Sequence, residues 1–169
     1  MLTPKQQGIA EFFADDTSGF GNGHVFYMIT GINEKEKGNI LTYLKYLYDM
    51  EDYCFCSLEI KGNMMSFHSH EKYHSDLQEE LSRQFSKATV YWTDCWDDEG
   101  TLIVMRGGEE IDPKEACRVT LNECEVSDAD PECFDVTATV EDKKSMHTFE
   151  IGGGCVSADQ KDMILKLVA

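Results

Sequence analysis

Long hydrophobic runs are missing from this 169-residue chain. Its longest uncharged apolar stretch is far shorter than the roughly 18 residues a membrane-spanning helix needs, so a membrane partner is excluded. Basic residues are scarce. Lys and Arg total 15, only three of them Arg, against 32 Asp and Glu, for a formal net charge of −17. Contacts to nucleic-acid phosphates need clustered Lys and Arg, so direct nucleic-acid binding is excluded as well. Proline is rare, with 3 residues, and no Pro-rich linker or low-complexity segment divides the chain. The opening stretch MLTPKQQGIAEFFADDTSGF has no basic start followed by an apolar segment, and Asp15 and Asp16 interrupt its hydrophobicity. No signal peptide is expected.

A CxxC pair is also missing, which removes the zinc-ribbon and thioredoxin-like signatures. The seven cysteines are an odd number, scattered at positions 54, 56, 95, 117, 124, 133 and 155. Secreted disulfide frameworks favour even counts in shorter chains, so the cysteines are expected to be reduced thiols in a cytoplasm. Cys54 and Cys56 lie two apart in an alternating run and are expected on one strand face as small buried residues.

What is present suffices for a core: 41% of the residues are apolar and 11% aromatic. A globular chain of this size buries roughly 68–70% of the surface its unfolded form exposes. Thr3-Pro4 predicts a helix start carrying Ile9, Phe12 and Phe13. After the Gly-rich stretch 19–23, Val25 to Ile29 reads as a buried strand ended by Gly31. Asn33 or Glu34 begins a helix with Ile40, Leu44 and Leu47 at helical spacing. Tyr53 to Ile60 alternates, with Cys54, Cys56, Leu58 and Ile60 on one side. Lys61-Gly62-Asn63 turns it into a partner strand, Met64 to His68. Ser75 and Gln78 suggest a capping box for a helix bearing Leu77, Leu81 and Phe85. Ala88 to Cys95 and Thr101 to Arg106 form the next hairpin.

The order strand, helix, strand, strand, helix, strand predicts an α+β fold with a ferredoxin-like βαββαβ core and an extra hairpin strand over residues 1–112. Residues 113–169 are expected to extend it as a three-stranded antiparallel sheet and a helix, packed with it as one compact domain. The three strands are marked by Cys117, Val119 and Leu121, then Phe134 to Val140, then His147 to Ile151, with Gly152–Gly154 ending the last. Ser157 and Gln160 form a second capping box, and Met163, Ile164, Leu167 and Val168 give the final helix an apolar face.

The charge is uneven. Residues 1–87 hold 13 acidic and 8 basic residues, whereas residues 88–169 hold 19 and 7, a net −12. The excess falls in turns: Asp94, Asp97, Asp98 and Glu99; Glu109 and Glu110; Asp128, Asp130 and Glu132. Hairpin ends of one sheet can gather such clusters into a single negative surface, which repels itself in the fold and serves solubility or the steering of a basic partner. The Asp128–Glu132 run is not an EF-hand, because Cys133 stands where Gly belongs and Thr139 where the twelfth-position Glu belongs.

Two further motifs carry chemistry. His68, His70 and His74 fall within seven residues, and three imidazoles in one strand-to-loop segment can hold Zn, with a fourth position left for water. Cys155 follows three glycines and precedes a helix, where a thiol pKa is lowered, and His147 on the preceding strand is its candidate base. The glycines are not a P-loop, because no Lys-Ser or Lys-Thr follows. The aromatics Tyr73, Tyr91, Trp92 and Trp96 lack the basic pattern of RNA-recognition strands and are expected in the core or at an interface.

These features together predict a non-enzymatic acidic module with no cofactor. It would bind and inhibit a basic, nucleic-acid-binding protein, the role that immunity proteins and inhibitors from phages or mobile elements fill. The alternatives are a zinc-dependent hydrolase built on His68, His70 and His74, or an assembly subunit.

Overall fold

The structure is a computed structural model that describes residues 1–15, 24–50, 53–71, 76–95 and 100–168. Helix α1 (Pro4–Ala14) starts where Thr3 predicts. The Thr3 Oγ1 accepts from the Gln6 amide at 3.2 Å, and the Gln6 side chain accepts from the Thr3 amide at 2.9 Å. Strand β1 (Val25–Thr30) leads to α2 (Glu34–Asp49), capped reciprocally by Asn33 and Glu36. The hairpin β2 (Tyr53–Lys61) and β3 (Met64–Glu71) follows, then α3 (Leu77–Gln84) and β4 (Thr89–Asp94).

Beyond these lie β5 (Leu102–Arg106), β6 (Glu109–Ile111), the short α4 (Pro113–Ala116), β7 (Cys117–Val126), β8 (Phe134–Asp142), β9 (Thr148–Val156) and α5 (Ala158–Val168). Among the described residues, five helices accompany two antiparallel sheets. The larger sheet runs β2-β3-β1-β4-β5-β6 and the smaller β7-β8-β9. The protein is therefore α+β.

The two faces of the larger sheet bury different partners. Val25, Tyr27, Ile29, Phe55, Met65, Phe67 and Val90 point toward α1, α2 and α3 and meet Ile9, Phe13, Ile40, Leu44, Leu77 and Leu81. Met28, Met64, Tyr91, Leu102 and Val104 point the other way and meet Val136, Ala138, Val140, Phe149 and Ile151 of the smaller sheet. Residues from both sides of position 112 thus share one core. At its centre the buried Asp142 carboxylate receives the Tyr91 hydroxyl at 2.6 Å, the Thr30 hydroxyl at 3.3 Å, and the Ser145 amide and hydroxyl each at 2.8 Å.

Several sequence expectations need correction. The alternation of Cys54, Cys56, Leu58 and Ile60 is broken by a bulge between Cys56 and Glu59, where Ser57 adopts φ 55°. One extra residue reverses the faces. Tyr53 and Phe55 before the bulge, and Leu58 and Ile60 after it, face the helices, while Cys54 and Cys56 pair with His70 and His68 on the opposite face.

The helix after β3 does not use Gln78 as a capping residue. Its N-cap is Asp76, and the buried Gln78 amide donates to the Val90 and Ile103 carbonyls at 3.0 and 2.9 Å. Ser75 lies outside the described residues.

Strand β6 was missed, although Gly107-Gly108 announces it. Both glycines have positive φ, 64° and 81°, and join Arg106 to Glu109, as a tight hairpin turn demands. Gly152–Gly154 do not end the last strand but continue it. Gly152 has φ 89°, and a Cβ there would sit 2.1 Å from the Val136 carbonyl oxygen, so β9 needs a glycine beside its bulge. The second capping box stands as expected, but the buried stripe of α5 narrows to Ile164, and Met163 is exposed.

Candidate functional site

The predicted histidine site is placed partly on β3. His68 and His70 lie two apart on that strand and share one sheet face, both half-buried. His74 lies outside the described residues. A different histidine, His24, comes up beside the pair. It stands one residue before β1, its amide donates to the Ser69 carbonyl at 3.0 Å, and its own carbonyl accepts from the Cys95 amide at 2.8 Å. Its ring centroid is 4.0 Å from that of His70. On the other flank Cys54 is paired directly with His70, and Cys56 with His68. Two adjacent rows at one end of the sheet therefore read Cys54, His70, His24 and Cys56, His68, Phe26.

The His68 ring lies 5.1 Å from Phe26, and Phe26 in turn packs on Phe149 of the smaller sheet at 5.2 Å. Beside them a groove of about 360 Å³ is lined by His68, His147, Met64, Met146, Glu59 and Lys61, among others. Imidazoles and thiols are donors of the zinc class, but among the described residues those of His24, His68, His70, Cys54 and Cys56 do not converge within ligand distance of one point. Sequence reasoning reached His68 and His70 from their spacing. It missed His24 because the readable strand begins at Val25 and cross-strand register is not written in either strand alone.

The described acidic residues fall into separate groups. Asp94 ends β4 and is half-buried, and Asp97, Asp98 and Glu99 lie outside the described residues. Glu109 and Glu110 are exposed on β6, the edge strand next to the start of β7. Asp128, Asp130 and Glu132 occupy the turn at the far end of β7. Ten residues of β7 separate these groups, about 30 Å along an extended strand.

The denser cluster is the β7–β8 hairpin itself. From Val119 to Val140 the chain carries six carboxylates and no Lys or Arg. Glu125 and Asp135 stand directly opposite one another, an unfavourable placement for like charges. Asp135 accepts from the Cys155 amide at 3.1 Å, and Asp130 Oδ1 accepts from the Glu132 amide at 2.9 Å. A cation reaches the hairpin from α5, where the Lys161 ammonium lies 4.3 Å from the Phe134 ring centroid.

The expectation of uniformly reduced thiols is overturned at one pair, because Cys133 and Cys155 form a disulfide that ties the acidic turn to β9. A sulfur in that bond is not a nucleophile, so Cys155 is no catalytic thiol. Its proposed base is also distant. His147 precedes β9, eight residues away along the strand, about 27 Å. Asp130 comes within 3.5 Å of Cys133 Sγ, but the two sulfurs are bonded to each other and are not thiolate ligands. Tyr91 is buried in the core and Trp92 packs partly against the helix side, whereas Tyr73 and Trp96 lie outside the described residues.

Among titratable groups, the network around Asp142 is the most perturbed. Burial works to raise the Asp142 carboxyl, but hydrogen bonds from Tyr91, Ser145 and Thr30 outweigh it and hold the group below its ordinary value. Burial first, then the hydrogen bond to Asp142 and the Asp142 charge, raise the Tyr91 phenol well above its usual range. Burial and the Asp142 charge push the Cys117 thiol up to about 11. This is the pattern of a structural joint between the sheets, closed to solvent.

Comparison with protein-family models, curated proteins and solved structures finds no match for this chain. Function is therefore read from the geometry alone.

Proposed function

We propose that this protein is a non-enzymatic interaction module that docks its acidic β7–β8 hairpin into the basic groove of a nucleic-acid-binding protein and blocks it. One observation supports this reading above others: six carboxylates and no basic residue from Val119 to Val140, including the opposed pair Glu125 and Asp135. Like charges brought together in this way weaken the fold, and a basic partner turns the same repulsion into attraction and faster encounter.

The reading also takes β1 to β4 with α2 and α3 as a ferredoxin-like core. The support is their spatial order, β2-β3-β1-β4, with all neighbours antiparallel. It retains a cytoplasmic location. The Cys133–Cys155 bond is of a kind that oxidising compartments preserve, so rapid alkylation of freshly lysed cells tests that location. Protein with both cysteines alkylated supports it, and protein with the pair protected argues against it.

The docking role is tested by capture from a lysate of the source cells, using the wild type and a variant with Glu123, Glu125, Asp128, Asp130, Glu132 and Asp135 changed to Gln or Asn. The expected outcome is a basic protein held by the wild type alone, released by salt and displaced by added nucleic acid. Equal retention by both proteins, or binding indifferent to salt, would sink the reading.

A further inference from the structure

We infer that reduction of the Cys133–Cys155 bond opens a binding site for one divalent cation of the zinc class, with the Cys133 and Cys155 thiolates and the Asp130 carboxylate as its ligands. The site goes beyond the docking role and does not rest on it.

The argument begins with where donor atoms meet. Among the described residues, one group of three metal-ligating side chains converges: a carboxylate oxygen of Asp130 and the sulfurs of Cys133 and Cys155 all lie within 4.8 Å of one another. Ligands around a tetrahedral zinc ion, with Zn–S near about 2.3 Å and Zn–O near about 2.1 Å, stand roughly 3.5–3.8 Å apart, so modest side-chain rotations complete the set. The Asp130 carboxylate is already aimed. Its Oδ1 accepts from the Glu132 amide at 2.9 Å, which leaves Oδ2 against the Cys133 sulfur at 3.5 Å. A disulfide sulfur has no proton to give that oxygen, whereas a cation held by the two thiolates attracts it.

The backbone around the three residues has hydrogen bonds of its own. The Cys133 amide donates to the Asp130 carbonyl and the Ser127 amide to the Cys133 carbonyl, each at 3.0 Å. The Cys155 amide donates to Asp135 at 3.1 Å, and Phe134 pairs with Val156 in the β8–β9 ladder. These bonds keep the turn beside β9 once the sulfurs part. While joined, the sulfurs are not ligands. A dithiol reductant attacks the sulfur of Cys155, the exposed partner, and its second thiol then closes its own disulfide. Two electrons and two protons thereby pass to Cys133 and Cys155. Binding of the cation releases those two protons. Soft thiolates select zinc-class ions over calcium or magnesium. Asp128, Glu132 and Asp135 add negative charge around the turn, which raises the local cation concentration, and the fourth position is left for water.

The test uses the full chain, purified without a histidine tag, reduced with a dithiol, desalted under nitrogen and titrated with Co²⁺ and then Zn²⁺. The oxidised chain is titrated in parallel. The reduced protein is expected to take up one equivalent of Co²⁺ with tetrahedral visible bands and a thiolate charge-transfer band, which Zn²⁺ abolishes, while the oxidised protein shows neither. Cys133→Ser and Cys155→Ser should each weaken binding by roughly 100-fold and diminish the charge-transfer band, and Asp130→Asn should weaken it by roughly 10-fold with the band retained. Cys124→Ser, which removes an exposed thiol of β7, should change neither. Far-UV circular dichroism of the reduced wild type and of each variant separates ligand loss from unfolding. Asp130→Asn leaves both thiols in place and keeps the test decisive where a serine variant misfolds. Failure of the reduced protein to bind one equivalent would overturn the proposal. So would equal uptake by the oxidised protein, an undiminished charge-transfer band in the two serine variants, or unchanged affinity in Asp130→Asn.

Discussion

The two faces of the six-stranded sheet are closed in different ways. On the helix side, aromatic rings pack on one another edge to face and stacked. Phe13 meets Phe55 at 5.5 Å, Phe55 meets Phe67 at 5.5 Å, and Phe67 stacks on Tyr27 at 5.0 Å. Three helices cover it. The other face is closed over only part of its area by the smaller sheet, and its joint sets a buried carboxylate network beside the rings of Phe26, Tyr91 and Phe149. Where that cover stops, His68 of the sheet and His147 of the loop before β9 line a groove. The contrast separates tasks: the sealed face specifies the fold, and the half-covered face keeps polar groups near solvent, where they can be used.

Breaking the sealed face should have the largest effect. Phe55 is fully buried, and its truncation to Ala removes ring contacts on three sides. The expected loss is about 3–5 kcal/mol, read as a lower urea midpoint with an unchanged slope. A loss below about 1 kcal/mol would mean that the helices are not the main support of the sheet.

The joint on the other face should respond less, and with pH. Tyr91→Phe removes one hydrogen bond to a buried charge, worth roughly 1.5–3 kcal/mol. Asp142 has its pKa lowered in the folded state from an ordinary 3.8. Its contribution is therefore fully present above about pH 4 and is lost as pH falls through the folded value. Tyr91 and Cys117 are shifted upward. Their contributions are full below the unfolded values, 10.0 for the phenol and 9.0 for the thiol, and fade as pH rises beyond them. Urea midpoints measured from pH 2 to 11 should fall at both ends in the wild type. In Asp142→Asn the acid fall should be shallower. Equal acid slopes in the two proteins would show that this carboxylate is not the joint's titrating member.

Much of this architecture was legible because its signals are local. Thr3 with Gln6, Asn33 with Glu36, and Ser157 with Gln160 each cap a helix within three residues, and the 3.6-residue spacing of Ile40, Leu44 and Leu47 marks the buried side of α2. What failed was non-local or displaced by one residue. Ser57 inserts a single bulge residue and moves Cys54 and Cys56 to the face opposite Leu58, although the alternation looks unbroken in the sequence. Cys133 and Cys155 are brought together only by the pairing of Phe134 with Val156. His24 meets His70 through a register set by the whole β1–β3 ladder. The candidate site was thus half readable, from the spacing within β3, and its other half belongs to the fold.

The exposed carboxylates of the β7–β8 hairpin give the smallest expected change, with an informative sign. Glu125 is exposed and faces Asp135 across the ladder. Glu125→Gln removes repulsion and breaks no buried contact, so Tm should rise by about 1 °C at low ionic strength. The gain should vanish near 1 M salt, where screening acts within about 3 Å. A fall in Tm would instead mark Glu125 as a structural residue, and the hairpin's charge would then need no partner to explain it. A rise in stability together with weaker capture of a basic protein is the combination expected of a residue kept for binding at the expense of the fold.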